Sequence, residues 1–334
     1  MSGDNGFTNK RGLPEWYHDL YWAFNYDATS GGKRRSDFSA TGLIKPTQIT
    51  VLGERYGDLV TEDIADCTWK LLGSAAHSAM YSMQKRSMAR MVEEGVAPRV
   101  RPVLERRMYT SILIPGTDEG MVTISGAPDR ICIDGVTRDF KFTSAWTHVF
   151  RSRDREWKRQ LAIYNWLGFM YGMDVANQGE ICAIFRDWDE KKMMSNDKYP
   201  RINVGFYEFD LPSPAATARW IQGKVEEIFA CRKLPDDEQP ECIVGGEEDD
   251  VWASEEKWAY YKSDKLVKAT KLFTSEEEAQ KRLDVEGKGH IVHRPGERKR
   301  CAGYCGVAPW CAQYGKWRQE QGLPPLDVPT AKEA

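Results

Sequence analysis

Short β-branched and apolar runs alternate with turn-forming pairs through the middle of the chain. Residues 121–124 (MVTI), 129–134 (DRICID) and 136–142 (VTRDFKF) are such runs, separated by Ser125-Gly126-Ala127-Pro128 and by Asp134-Gly135. They predict an antiparallel meander. Val103–Arg107 predicts a strand before it, and 181–186 and 204–209 predict strands after it. Residues 64–94 and 153–171 predict two long helices, and Ser213-Pro214 supplies an N-cap and an N1 proline for a helix to about Ala230. Farther on, 258–273, the helix start at Ser275-Glu276-Glu277-Glu278 and 290–293 predict a small strand, strand, helix, strand unit. Residues 1–40 are rich in Gly, Ser and Asp apart from an aromatic patch at Trp16–Tyr26, and the last dozen residues predict a loose tail. The fold class is α/β, a mixed sheet flanked by helices.

Side chains alternate faces along a strand, so Asp139 and Lys141 share one face and Phe140 takes the other. Asp129 opens the neighbouring run, within reach of the same point if the hairpin register holds. Hard oxygen ligands gathered there suit Mg²⁺ or Mn²⁺. Singly, each residue has an ordinary reading: a surface ion pair, a turn residue after proline, a solvated helix position.

In order, however, Pro128-Asp129, Asp139-Phe140-Lys141, Gly73-Ser74-Ala75-Ala76-His77 and Gln160-Leu161-Ala162-Ile163-Tyr164 resemble the motifs of the PD-(D/E)xK nuclease superfamily, in its RecB-type exonuclease branch. The resemblance spans residues 73–164 and departs from the branch at Tyr81, where a glutamate often stands. It implies a restriction-endonuclease-like core over 41–235, after an N-terminal segment of 1–40. It also implies that His77, Asp129, Asp139 and the Phe140 carbonyl hold the metal. Lys141 would orient the attacking water, with Gln160 and Tyr164 at the same site. Glu105 is a further acid in the preceding run.

Cys301, Cys305 and Cys311 place three of the chain's eight cysteines within eleven residues. In a cytosolic type of protein that spacing points to a metal site rather than disulfides. In RecB-type exonucleases, including those of CRISPR adaptation, such a triplet joins one distant cysteine around a 4Fe-4S cluster. The resemblance of Pro240–Cys311 to phage-encoded members makes Cys242 the preferred fourth ligand over Cys67, which sits among Ile64, Leu71 and Leu72. Cys132, Cys182 and Cys231 lie in or beside apolar runs. Zn²⁺ suits the same four sulfurs, and spacing does not choose between zinc and iron-sulfur. The module is expected over 236–318, carrying the small α+β insert, with a tail at 319–334.

At 334 residues and 41% hydrophobic composition the chain is long enough for one large domain or two modest ones. Met1–Arg11 is polar and no stretch is apolar enough to span a membrane, so a soluble, cytoplasmic protein is expected. The formal charge of 47 − 50 = −3 does not by itself point to nucleic acid. Its distribution does. Arg99, Arg101, Arg106 and Arg107 precede the meander, and Arg151, Arg153, Arg155, Lys158 and Arg159 open the helix of Gln160. Acids gather elsewhere, at Glu247–Asp250 and Glu276–Glu278. Basic density beside a metal site fits a protein that grips phosphates, although some of these charges simply solvate their faces. Trp146 and Trp157 flank the basic stretch, as base-stacking or core residues.

The resemblance therefore implies a metal-dependent exonuclease acting on linear DNA ends, in phage recombination, replication or DNA degradation. A single-strand annealing or recombination protein would be its partner, and homo-oligomerisation is left open. The rival expectations are a structure-specific endonuclease and a catalytically silent DNA-end-binding accessory protein.

Overall fold

The computed structural model describes residues 7–17, 36–96, 102–115 and 120–329, so Arg99 and Arg101 lie outside the described residues. Internal packing divides the chain into two units: Met1–Thr50 with Thr61–Lys233, and Val51–Val60 with Leu234–Ala334.

In the first unit, β1 (Phe7–Thr8), β2 (Phe38–Ser39) and β3 (Glu62–Asp63) are two-residue strands. Ser39 caps α1 (Ala40–Leu43) by accepting the Gly42 N–H, and α2 (Thr47–Tyr56) follows, its residues from Val51 on belonging to the second unit. The long helix expected over 64–94 starts later, as α3 (Thr68–Glu93), because Asp63 holds a preceding turn. Its carbonyl accepts the Asp66 N–H and its carboxylate the Ala65 N–H. Next come β4 (Val103–Leu104), β5 (Met108–Leu113), β6 (Met121–Gly126), β7 (Arg130–Ile131) and β8 (Thr137–Thr143). They are followed by α4 (Ala145–Phe150), α5 (Asp154–Met170), β9 (Gln178–Phe185), α6 (Glu190–Ser195), β10 (Val204–Asp210) and α7 (Pro214–Cys231). Ser213 caps α7 from its predicted position, accepting the Ala216 N–H at 3.3 Å.

The strands form a mixed five-stranded sheet in the order β10-β9-β8-β7-β4 and a three-stranded sheet in the order β2-β6-β5. Only the β8–β9 pair in the larger sheet is parallel. The expected single meander is therefore not realised: β6 pairs with β5 and β2, and β7 and β8 belong to the other sheet. Gly126-Ala127-Pro128 carries the chain between the sheets, and Pro128 has no N–H to continue a ladder. The run 129–134 contributes only two strand residues because the turn consumes the rest. Cys132 N–H bonds to the Val136 carbonyl at 3.1 Å, and Gly135 adopts φ +75°. Likewise Val103–Arg107 stops at Leu104, where Glu105 turns to φ +40°.

Helix α5 is the centre of the first unit. It packs against β5, β6, β8 and β9 as well as α1 and α7, so Leu161, Ile163 and Leu167 are fully buried, worth about 1.5–3 kcal/mol each. Gly126 is required by this packing. A Cβ there would lie 2.8 Å from Leu167 Cδ1 and 2.9 Å from the Tyr164 ring.

The second unit contains the expected small α+β insert: β11 (Lys257–Tyr261), β12 (Lys271–Phe273), α8 (Glu276–Glu286) and β13 (His290–Arg294). The sheet order is β12-β11-β13, all antiparallel, and Ser275 caps α8 at the Glu278 N–H. Two helices follow, α9 (Lys299–Gly303) and α10 (Ala312–Glu320). Tyr56 joins this unit by stacking on Trp310, with centroids 4.9 Å apart and planes 3° off parallel, and by donating its hydroxyl to Asp236. Among the described residues no helix is long and apolar enough to cross a membrane.

Candidate functional site

Both strand ladders break at one place. Leu104 pairs with Arg130 in the larger sheet and Met108 with Gly126 in the smaller, leaving Glu105–Arg107 opposite Ala127–Asp129. The Glu105 N–H reaches the Asp129 carbonyl at 3.3 Å across this break, and Glu105 holds a left-handed φ that non-glycine residues rarely adopt. Because β7 pairs with β8 only through Arg138 and Thr137, the β8 edge from Asp139 onward has outrun its neighbour. The Asp129 side chain fills that gap. Its Oδ2 accepts the Phe140 N–H at 2.6 Å, and its Oδ1 lies 3.4 Å from His77 Nδ1 on α3.

Asp139 and Lys141 do share a face, and they form an ion pair. Asp139 is 3% exposed, and beyond Lys141 its Oδ2 has no hydrogen-bond donor among the described residues. Burial pushes its carboxyl above the usual range, the Lys141 charge opposes this, and the neighbouring Asp129 carboxylate adds to it. Hydrogen bonding to Asp129 raises the His77 imidazole, against the effect of burial, and its ring meets Phe142 edge-on at 5.6 Å. Burial, then Asp129, raises Glu105.

Gln160 and Tyr164 are both buried, one helical turn apart on α5, and Gln160 Nε2 donates to the Tyr164 hydroxyl at 2.8 Å. Burial first, then the Asp139 carboxylate, pushes the phenol up; Arg107 opposes. The hydroxyl thus lies in the field of Asp139, Asp129 and Arg107 together. Three acids, a histidine, a lysine and an arginine meet at the break. Among the described residues, no three His, Cys, Asp or Glu side chains are arranged as a metal-binding group, and the cation beside Asp139 is Lys141.

The basic opening of α5 is less available than its sequence indicates. Arg151 bonds Asp154 at 2.6 Å and lies over the Tyr207 ring, Arg153 bonds Glu156 at 2.5 Å, and Arg159 lies over Trp220. Arg155 is half-buried; Lys158 is exposed. The acids three residues on from Arg151 and Arg153 were the signal for this local pairing. Trp157 is a core residue packed on Tyr207, whereas Trp146 remains partly exposed. The position of Arg107 beside Tyr164 was not legible, because it depends on the bend at Glu105.

Cys242, Cys301, Cys305 and Cys311 are electrostatic neighbours. Burial pushes the Cys242 and Cys301 thiols up to about 12; Asp250 and then Cys311, Cys301 and Cys305 add to the first, and Cys305 and Cys311 to the second. Cys311 is raised by burial and by Cys305, while its sulfur caps α10 at the Tyr314 N–H. Gln313 clamps the Cys242 backbone, accepting its N–H at 3.0 Å and donating to its carbonyl at 2.8 Å. Cys67 is buried too, but the groups that act on it are Glu62, Lys70 and Asp66. Cys231 is buried as expected, whereas Cys132 and Cys182 are half-buried, and Cys132 accepts a bond from Arg130 Nε. None of the eight cysteines is joined in a disulfide.

No protein-family model and no curated protein matches the chain. Among solved structures it is similar to SSO0001, at 18% identity and a TM-score of 0.44 over 67% of this chain and 89% of that one. It is also similar to a phage-related exonuclease from Haemophilus somnus 129PT, at 11% identity and 0.25 over 64% and 80%. A third is LHK-Exo in complex with dAMP, at 14% and 0.27 over 57% and 91%. Likeness this distant carries no functional argument, which has to come from the side chains themselves.

Proposed function

We propose that the chain is a metal-dependent nuclease that hydrolyses phosphodiester bonds from the ends of linear DNA, at the ladder break between the two sheets. The observation that carries this reading is the buried Asp139 beside Asp129, with Lys141 paired to it. Two carboxylates forced together out of water are a cost to the fold, and a divalent cation relieves it. Asp129, Asp139 and His77 would hold Mg²⁺ or Mn²⁺. The Phe140 carbonyl, which in an extended strand points the same way as its N–H toward Asp129, would join them. When bound, the cation supplies neutralising charge to the phosphoryl oxygens and lowers the pKa of a bound water.

Lys141, displaced from Asp139, orients the attacking water and meets the negative charge that develops on the phosphoryl group. Gln160 fixes the Tyr164 hydroxyl against the carboxylates. Arg107 and Lys158, both exposed, are the cations best placed to grip phosphates, since Arg151 and Arg153 are committed to Asp154 and Glu156. Cys242, Cys301, Cys305 and Cys311 would hold a structural 4Fe-4S cluster or Zn²⁺: buried as neutral thiols that act on one another, they would give up their protons to a bound metal.

A time course on end-labelled linear DNA beside covalently closed circular DNA, with Mg²⁺ or Mn²⁺, tests the activity. Mononucleotides released from the linear form alone are expected. Nicking of the closed circle would make the protein an endonuclease, and no cleavage of either would leave a DNA-end-binding protein.

A further inference from the structure

Helix α4, directly after the strand of Asp139 and Lys141, carries two side chains that the proposed chemistry does not use. Trp146 and Phe150 point outward, 38% and 69% exposed. They stack on each other, with ring centroids 5.8 Å apart and planes 22° off parallel. An apolar pair left in water is a standing cost, and such patches mark surfaces that meet something.

The pair is held rigidly. The Ser144 hydroxyl and the Ala145 N–H both bond the Asp187 carboxylate at 2.6 Å, fixing the start of α4. Thr147 bonds Thr143 at the end of β8, His148 bonds the Tyr207 hydroxyl, and the Trp146 ring meets Tyr199 edge-on. A platform fixed in this way loses little freedom when a ligand lands on it. Its surroundings carry both signs, with Asp187, Asp189 and Glu190 on the segment that brings two lysines. Lys192 Nζ lies 5.8 Å from the Trp146 ring centroid, and Lys191 and Lys192 are exposed, with no ion pair among the described residues.

Flat rings beside the Lys192 ammonium, which has no ion pair among the described residues, suit a ligand with flat faces and a phosphate backbone. A duplex buries the faces of its bases, so the ligand is an unpaired strand. Trp146 stands five positions on from Lys141, at most about 17 Å at roughly 3.3 Å per residue, which is within reach of one bound strand. Resting on the nuclease reading, we propose that Trp146 and Phe150 form a stacking platform for unpaired nucleobases, holding a single-stranded stretch of the DNA substrate beside the cleavage site.

The test is fluorescence anisotropy of the full chain, without divalent cation, on a short labelled oligothymidylate and on an abasic oligomer with the same phosphates. The wild type is expected to bind the oligothymidylate at least about tenfold tighter, since stacking is sequence-tolerant but needs a base. Phe150→Ala, at so exposed a position, should fold normally and lose about tenfold on oligothymidylate with the abasic affinity unchanged. Trp146→Ala should do the same and Trp146→Phe should keep most of the preference. Equal wild-type affinity for the two oligomers, or an unaffected Phe150→Ala, overturns the proposal. So does a Phe150→Ala that turns a dimer into a monomer with oligothymidylate binding intact, which would make the pair a contact between copies. Lys141→Ala separates this from the nuclease reading: if it cleaves DNA like the wild type, that reading fails, whereas base preference without metal is judged on its own.

Discussion

Lys141→Ala removes the cation paired with Asp139, and its effect on stability should depend on pH in a particular direction. Asp139 is almost fully buried and its folded-state carboxyl titrates above the usual range, chiefly through burial. A raised carboxyl is favourable to folding only while protonated. The cost of ionising it is absent below about pH 4, where both states are protonated, and grows as pH rises through the folded value. Lys141 offsets that cost in the wild type. Without it, a buried charge is uncompensated, which costs about 3–5 kcal/mol for a fully buried pair. Lys141 keeps 22% of its side chain exposed, so the low end, about 3 kcal/mol, applies here. For a unit of this size that is a fall of about 6–12 °C in Tm.

Thermal melts of metal-free wild type and variant at about pH 8 and about pH 4.5 read this directly, and the gap should narrow sharply at the lower pH. Mg²⁺ should then restore part of the variant's loss, about 2.7 kcal/mol at one hundred times its Kd. Cleavage should be lost throughout. A Tm deficit equal at both values, or cleavage near the wild-type rate, would refute the reasoning.

Gly126→Ala drives a methyl into Leu167 and Tyr164, so it should cost about 1–3 kcal/mol and lower activity by displacing Tyr164; an unchanged urea midpoint would mean the helix moves freely. Gln160→Ala should reduce the cleavage rate severely and, because it strands a buried hydroxyl, cost about 1–3 kcal/mol as well. A melting loss with full activity per folded molecule would make Gln160 structural only. Anaerobically purified protein should be brown, and serine at Cys242, Cys301, Cys305 or Cys311 should bleach and destabilise it, whereas Cys67→Ser should keep the colour. Colourless protein with stoichiometric zinc would keep the ligands and change the metal; colour lost with Cys67→Ser and kept with Cys242→Ser would overturn the choice of fourth ligand.

Elements with strong local signals were legible. Helix α7 begins at its Ser213-Pro214 cap, and β11, β12, α8 and β13 follow the expected order. The shared face of Asp139 and Lys141 followed from the period of a strand. What was not legible depends on pairing between distant segments. Nothing local distinguishes a meander over 121–142 from two sheets that part at Gly126-Ala127-Pro128, because β6 takes its partners from β5 and from Phe38–Ser39. The short helices α4 and α6 were missed because six residues are too few for a helical period to show. Arg151 and Arg153 looked like phosphate ligands by density alone, and their acids at i+3 decided otherwise.

A continuous ladder would have paired Glu105–Arg107 with Ala127–Asp129 and left no break between the sheets. The break concentrates several costs at one point: a left-handed Glu105, worth roughly 1–3 kcal/mol, a buried Asp139, and Asp129 beside it with like charge. These costs are specific enough to test as a trade of stability for function. Asp129→Asn can still accept the Phe140 N–H through its amide oxygen, so the gap in the ladder stays filled. It removes the charge that pushes on Asp139 and Glu105. The carboxylate also raises the His77 imidazole, a stabilisation that is lost as pH rises through the folded-state value, so the comparison belongs well above it, where losing the carboxylate beside His77 should cost little. Metal-free Asp129→Asn is therefore expected to be as stable as the wild type or more so, by about 0.5–2 kcal/mol, with cleavage and Mg²⁺ stabilisation both lost. If instead the variant melts well below the wild type in chelator, Asp129 is held in place for the fold, and the ladder break is an accident of packing rather than a site.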